Sequence, residues 1–162
     1  MSLYIFTGPP GSGKNTIAEA MVSSRKKLAV IDVDLVRWMI RQPHKAPWEG
    51  KEGEKQQVMG VENACLLAKN FLQDGYDVVI LDVVSENTAA LYHSRLGQYN
   101  PKVILLLPSY EEVLKRNAAR PPRLKAKEIQ MLYEQQQSLQ SFDLKIDNSA
   151  LDPEQVIKQL SE

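Results

Sequence analysis

Near the amino terminus the chain reads Gly8-Pro9-Pro10-Gly11-Ser12-Gly13-Lys14-Asn15-Thr16, a set of residue types suited to surrounding an anion. Glycines let successive backbone N–H groups turn inward, a helix start adds the positive end of its dipole, and Lys14 reaches terminal phosphates. The run follows the apolar Leu3-Tyr4-Ile5-Phe6-Thr7 and precedes the helical-looking Ile17-Ala18-Glu19-Ala20-Met21. A plain Gly/Pro turn between strand and helix would account for the glycines but not for the lysine or this setting. Nucleotide binding through Gly8 to Thr16 is therefore the expectation. The usual pattern puts Ser or Thr directly after the lysine to bind Mg²⁺, whereas here Asn15 stands there, with Thr16 next. Either the Asn15 amide oxygen or a water fills that position, since Mg²⁺ normally keeps several waters.

Two further groups of charged residues belong to the same chemistry. Ile31-Asp32-Val33-Asp34 closes a second apolar run, with Arg37 three residues after Asp34, and Asp82 closes the run Val78-Val79-Ile80-Leu81. In an open parallel sheet ligands bind beyond the carboxyl ends of the strands, so Asp32, Asp34 and Asp82 should converge on the rim that holds the glycine-rich loop. A carboxylate there takes the proton of an attacking hydroxyl and holds it in line with a γ-phosphate. That role falls to Asp34, with Asp32 structural or near the metal and Asp82 on Mg²⁺ through water; helix capping is the plain alternative for Asp32 and Asp34, and a strand-end cap for Asp82. From Lys115 to Lys127 lie Lys115, Arg116, Arg120, Arg123, Lys125 and Lys127 and no acid. Arg116 and Arg120, four apart, would share one helix face and hold the transferring phosphoryl group, with Pro121-Pro122 ending the helix. Arg123, Lys125 and Lys127 read as a solvated face.

Positioning these residues requires alternating strands and helices. Strand candidates are Leu3 to Thr7, Leu28 to Val33, Val78 to Val83, Val103 to Leu107 and Phe142 to Ile146. Between them Val58, Val61, Cys65, Ala68 and Leu72 recur at helical steps until Gly75 stops the helix. Ser109 with Glu112, and Asp152-Pro153 with Gln155, mark two more helix starts. Such alternation predicts an α/β sandwich built on parallel strands. The stretch Gln42 to Gly53, with Pro43, Pro47, Gly50 and Gly53, reads as a long exposed loop, where His44, Lys45 and Trp48 either shape acceptor recognition or pack the loop. Trp38 and Met39 belong either to the core or to the acceptor pocket. His93 reads as a surface residue and Cys65 as a buried, inert thiol.

Composition narrows the classes. With 162 residues and 43% hydrophobic content the chain suits one domain, residues 1–162, with a lid over about 116–127. Twenty basic and twenty acidic side chains cancel, so no global field advertises nucleic acid or an anionic membrane. One cysteine, no leader-like start and no apolar run near the roughly 18 residues that span a bilayer lead to the expectation of a cytoplasmic protein with no membrane partner.

The Gly-Pro-Pro-Gly-x-Gly-Lys-x-Thr arrangement resembles that of adenylate kinases, which also lack a hydroxyl directly after the lysine. With Asp-x-Asp-x-x-Arg (Asp32, Asp34, Arg37), Asp82, and Leu114-Lys115-Arg116-Asn117-x-x-Arg120, the chain looks like the small P-loop kinases. It is similar to the group holding the kinase domain of phage polynucleotide kinase, chloramphenicol phosphotransferase, gluconate kinase-like proteins and zeta-type toxins, over nearly its whole length. The resemblance implies the P-loop nucleoside triphosphate hydrolase fold, a three-layer sandwich with a five-stranded parallel sheet of order 2-3-1-4-5, and use of ATP with Mg²⁺. It implies Lys14, Asp34, Arg116 and Arg120 as catalytic residues and Asp34 with Arg37 on the acceptor side. Asn148, in the ending Phe142 to Ser149, would lie near the adenine. The acceptor is expected to be a small hydroxyl-bearing molecule, with a polynucleotide 5′-hydroxyl or a nucleotide as alternatives. A regulatory ATPase or nucleotide-dependent switch without an acceptor is the reading from a different class.

Overall fold

The computed structural model describes residues 1–121 and 124–160. Five parallel strands, β1 (Leu3–Thr7), β2 (Leu28–Asp32), β3 (Asp77–Leu81), β4 (Lys102–Leu106) and β5 (Leu144–Ile146), form one sheet in the order β2-β3-β1-β4-β5. Parallel neighbours require crossovers, and helices supply them: α1 (Lys14–Val22), α2 (Val33–Arg37), α3 (Gly50–Gln73), α4 (Glu86–Leu96), α5 (Tyr110–Ala118), α6 (Ala126–Ser138) and α7 (Pro153–Gln159). The α/β class and the strand order match the expectation.

Side chains alternate across the sheet with a period of two, and each set meets a different helical layer. Leu3 and Ile5 of β1 and Val78 and Ile80 of β3 pack with Val61, Ala64, Ala68 and Leu72 of α3 and Ala89, Tyr92 and Leu96 of α4. Phe6, Val79, Leu81, Ile104 and Leu106 face the other way, onto Ile17, Ala18 and Met21 of α1 and Val156 of α7. Burial on both faces is why these strands read as continuous apolar runs. Because β2, β3 and β1 are neighbours, their carboxyl ends bring Asp34, Asp82 and the glycine-rich loop to one rim. Among the described residues no helix is long and apolar enough to cross a membrane.

Several boundaries differ from the sequence reading. β2 stops at Asp32 because the Asp32 carboxylate caps α2, so Val33 begins a helix. β3 stops at Leu81, which leaves Asp82 and Val83 beyond the strand. The loop expected to reach Gly53 ends at Glu49, since α3 starts at Gly50. Gly53 marks close packing instead of a break: a Cβ there would lie 2.0 Å from the Ala46 carbonyl oxygen. Val58, expected on the buried stripe, is 46% exposed. The buried line of α3 instead includes Gln56, Gly60, Val61, Ala64, Cys65, Ala68 and Leu72. The expected caps are present at Ser109 and Asp152, and Gly75, at φ 83°, follows the end of α3.

Two glycines on helical backbone test this packing. Gly53→Ala should lower stability in urea by about 1–3 kcal/mol through overpacking against Ala46. Gly97→Ala, where a Cβ meets nothing within 4 Å, should leave stability unchanged or raise it by up to about 1 kcal/mol.

Candidate active site

The loop from Gly8 to Gly13 depends on backbone conformations that favour glycine. Gly11 and Gly13 sit at φ 86° and 93°, and a Cβ on Gly8 would lie 2.3 Å from the Leu106 carbonyl oxygen. Gly13 is the N-cap of α1 and no side chain caps that helix, so its leading N–H groups stay available to an anion. Lys14 Nζ donates to the Gly8 carbonyl at 2.7 Å and to Pro9 O and Ser12 Oγ at 3.3 Å each. Burial pulls the Lys14 ammonium down to about 8, against the opposing attraction of the Asp34 and Asp82 carboxylates. Asn15 and Thr16 are exposed on the first turn of α1.

The carbonyls of the loop are held by side chains from distant elements. Asn117 Nδ2 donates to Pro10 O at 2.7 Å, and Asn148 Nδ2 donates to Ser12 O at 2.7 Å. Arg116 donates from Nε to Glu112 at 2.8 Å, from Nη2 to the Asn148 carbonyl at 2.9 Å, and from Nη1 to Gly11 O at 3.4 Å. Arg120 lies beyond the end of α5 and donates to Asn117 Oδ1 at 2.9 Å. The expectation that Arg116 and Arg120 share a helix face is thereby corrected: α5 ends at Ala118 with Ala119 as its C-cap, ahead of Pro121. Pro122 and Arg123, assigned to the helix stop and the basic lid, lie outside the described residues.

On the second strand, Asp32 Oδ1 accepts the Asp34 N–H at 2.9 Å, the capping role weighed for it. Asp34 is left exposed, with its Oδ1 3.6 Å from Arg37 Nη1. Arg37, expected to meet the acceptor, is only 6% exposed. Its stem packs over Gly60, where a Cβ would lie 2.5 Å from Arg37 Cγ, and its Nη2 donates to the Lys45 carbonyl at 2.6 Å. It lies beneath the surface, steering Asp34 and the loop that follows. Trp38 and Met39 are exposed, not core; His93 is exposed and Cys65 buried, its thiol pushed up to about 12 by burial.

Asp82 is buried, and its carboxylate accepts from Tyr92 Oη and the Val83 N–H, both at 2.8 Å, and from Gln57 Nε2 at 3.3 Å. Loss of hydration raises its carboxyl to about 6 even though the bonds from Tyr92 and Val83 pull it down. Among the described residues no group of three or more His, Cys, Asp and Glu side chains is arranged to hold a metal.

Sequence reasoning missed the residues that brace the rim. Thr7 Oγ1 donates to Gln136 Oε1 at 2.6 Å and accepts the Val84 N–H at 2.9 Å, while Gln136 Nε2 donates to Val84 O at 2.8 Å. This buried triangle ties α6 to the base of the loop, and nothing in the run Gln135-Gln136-Gln137 announces which glutamine is buried. Tyr92, fully buried beneath Asp82, was legible only as one residue of a polar helix. Asn117 sits inside the motif around Arg116, so its position was marked although its task was not.

No protein-family model and no curated protein matches this chain. Solved structures do. A tunicamycin resistance protein of Deinococcus radiodurans superposes with TM-score 0.70 at 16% identity, covering 99% of this chain and 94% of that one. A sugar kinase from a Janibacter species gives TM-score 0.72 at 16% identity over 99% and 92% of the two chains. The fold is that of the small P-loop kinases. A chain of an RNA repair complex shares the fold with TM-score 0.63 at 22% identity, across 84% of this chain and 44% of that one. The glycine-rich loop follows β1 at this rim, and α2 with the loop after it forms a second wall beyond β2.

Asp82 offers a test of the site's electrostatics. Its folded carboxyl binds a proton more tightly than the ordinary value of 3.8, so the native state loses stability as pH rises from about 4 through about 6. Asp82→Asn removes that dependence. Urea unfolding should show the variant gaining up to about 3 kcal/mol on wild type between pH 4 and pH 8; a constant difference across that range would contradict the assignment.

Proposed function

We propose that the chain is an ATP-dependent kinase that transfers the γ-phosphate of ATP to a hydroxyl of a small-molecule acceptor. One observation carries this reading: an exposed carboxylate, Asp34, is steered by a buried arginine on the rim shared with the glycine-rich loop, close enough that its charge is felt at Lys14. A binding module or switch has no use for a base on that wall. The kinase-like fold supports the reading at the level of phosphotransfer.

In this mechanism Gly8 to Thr16 wrap the phosphates with backbone N–H groups and Lys14 neutralises the terminal ones. Asp34 takes the proton of the acceptor hydroxyl as its oxygen bonds to the γ-phosphorus. The bond from that phosphorus to the β–γ bridging oxygen breaks, and ADP leaves. Arg120 adds positive charge at the transferring group, while Arg116 keeps the loop and Asn148 in register. Asp82 and the Asn15 amide are the oxygen ligands, direct or through water, that would hold Mg²⁺, which when bound draws negative charge from the phosphates. A cation beside Asp82 suits a buried carboxylate whose charge is otherwise poorly hydrated. Residues 1–162 act as one domain, with 116–127 as the lid, and a cytoplasmic setting fits the single cysteine.

Transfer of labelled γ-phosphate from Mg-ATP into separate pools of small hydroxylated metabolites, nucleosides and 5′-hydroxyl oligonucleotides tests the proposal. Label should enter one pool, Asp34→Asn should lower kcat about 100- to 10,000-fold with little change in the KM for ATP, and Lys14→Met should remove ATP binding. ATP hydrolysis that is unchanged in Asp34→Asn, with no pool labelled, would move the protein to the nucleotide-dependent switch.

A further inference from the structure

We infer that Trp38, backed by His44, is a stacking platform for the acceptor, and that the acceptor carries a flat aromatic ring set apart from its reactive hydroxyl. The inference rests on Asp34 as the acceptor's base and names the chemical class that base serves.

Asp34 and Trp38 are four residues apart, and the Trp38 N–H donates to the Asp34 carbonyl at 2.9 Å, so their side chains lie along one strip of α2 and its cap. Asp34 is 73% exposed at its side chain and Trp38 is 55% exposed. The His44 imidazole lies parallel to the indole, with ring centroids 3.6 Å apart at 11°. One face of Trp38 is thus covered by another ring, and the exposure that remains belongs to its other face and edge.

The backing ring is held in place from both sides. Gln56, 2% exposed, accepts the Lys45 N–H at 2.9 Å and donates to the Pro43 carbonyl at 2.7 Å, clamping the residues that flank His44. Arg37 donates to the Lys45 carbonyl, and α3 approaches Ala46 through Gly53. A loop whose task was to cover apolar surface would cover the indole. This one props the indole from behind and leaves its front bare, which is preorganisation of a contact surface. Arg37 Nε and His44 Nδ1 are buried without hydrogen-bond partners among the described residues, and buried polar atoms of that kind are few in folded proteins.

Spacing selects the acceptor class. Asp34 and Trp38 lie about one helical turn of backbone apart. A free sugar offers a puckered, hydroxyl-edged ring in place of a flat π-face, so it gains less than an aromatic ring from stacking on the indole. An aromatic ring joined to its hydroxyl through a sugar or short chain spans the turn. A nucleoside with a free 5′-hydroxyl, the 5′ end of a strand and an aryl alcohol share this chemistry.

The test uses the full chain with Trp48→Phe, which leaves Trp38 as its one tryptophan. Adenosine, a 5′-hydroxyl oligonucleotide, 2-phenylethanol and ribose are titrated by fluorescence, then offered as acceptors with labelled Mg-ATP. Trp38 emission should respond to ring-bearing probes and not to ribose, and the probe that takes label identifies the source of the ring. In the otherwise native chain Trp38→Leu should raise the KM of that acceptor about 5- to 100-fold, Trp38→Phe should restore most of it, and the KM for ATP should stay fixed. Silence of Trp38 toward all three ring-bearing probes, or an equal response to ribose, overturns the platform whatever the transfer result. A response without transfer leaves the platform standing and removes the kinase reading instead.

Discussion

The inward turn of the glycine-rich loop depends on where its carbonyls go. A backbone that aims successive N–H groups at an anion must send its C=O groups elsewhere, and each buried carbonyl needs a donor. Here Asn117, Arg116 and Asn148 supply donors to Pro10, Gly11 and Ser12, and Lys14 supplies them to Gly8 and Pro9. These residues come from α5, from the segment after β5 and from the loop itself, so the cradle holds its shape only when the sheet has brought both distant segments to the edge of β1. The order β2-β3-β1-β4-β5 does this by seating β4, which leads into α5, directly beside β1.

A second constraint is electrical. Burial depresses the Lys14 ammonium and raises the Asp82 carboxyl, so each ion is held where its charge is poorly hydrated. Both shifts reflect the same environment acting on opposite signs. An anion at the loop would give Lys14 a partner and a cation would give Asp82 one, so a metal-bound phosphate would relieve both at once. Tyr92 and the Val83 N–H keep Asp82 from being driven further from its ordinary range. Ions held this way add little to the stability of the fold, and perturbed groups of this kind cluster at functional sites.

How much of this was legible in the sequence follows from locality. The strands declared themselves because burial on both faces leaves uninterrupted apolar runs, and the donor loop because its glycines, lysine and helix start are contiguous. Asp32, Asp34 and Asp82 were found because carboxyl ends of parallel strands share a rim. What stayed hidden depends on residues far apart in the chain. Gly53 reads as a loop residue by type, yet it sits inside α3 and is glycine because Ala46 needs the space; Arg37 reads as an exposed contact, yet Gly60 and the Lys45 carbonyl give it a buried berth. Val58 kept the right period but lies to one side of the stripe, which is set by the contact of α3 with α2 and the loop before it.

The same contrast separates the two walls of the site. The glycine-rich loop is one contiguous motif whose Pro10, Gly11 and Ser12 carbonyls are braced by distant side chains. The second wall hangs on α2 and the segment to Glu49, and its shape is set by Gln56, Arg37 and the close approach of α3. Those supports are buried, while the residues they present, Leu35, Trp38 and Met39, are exposed and free of packing demands from the core. Exposed positions on a rigid mount can change without loss of the fold.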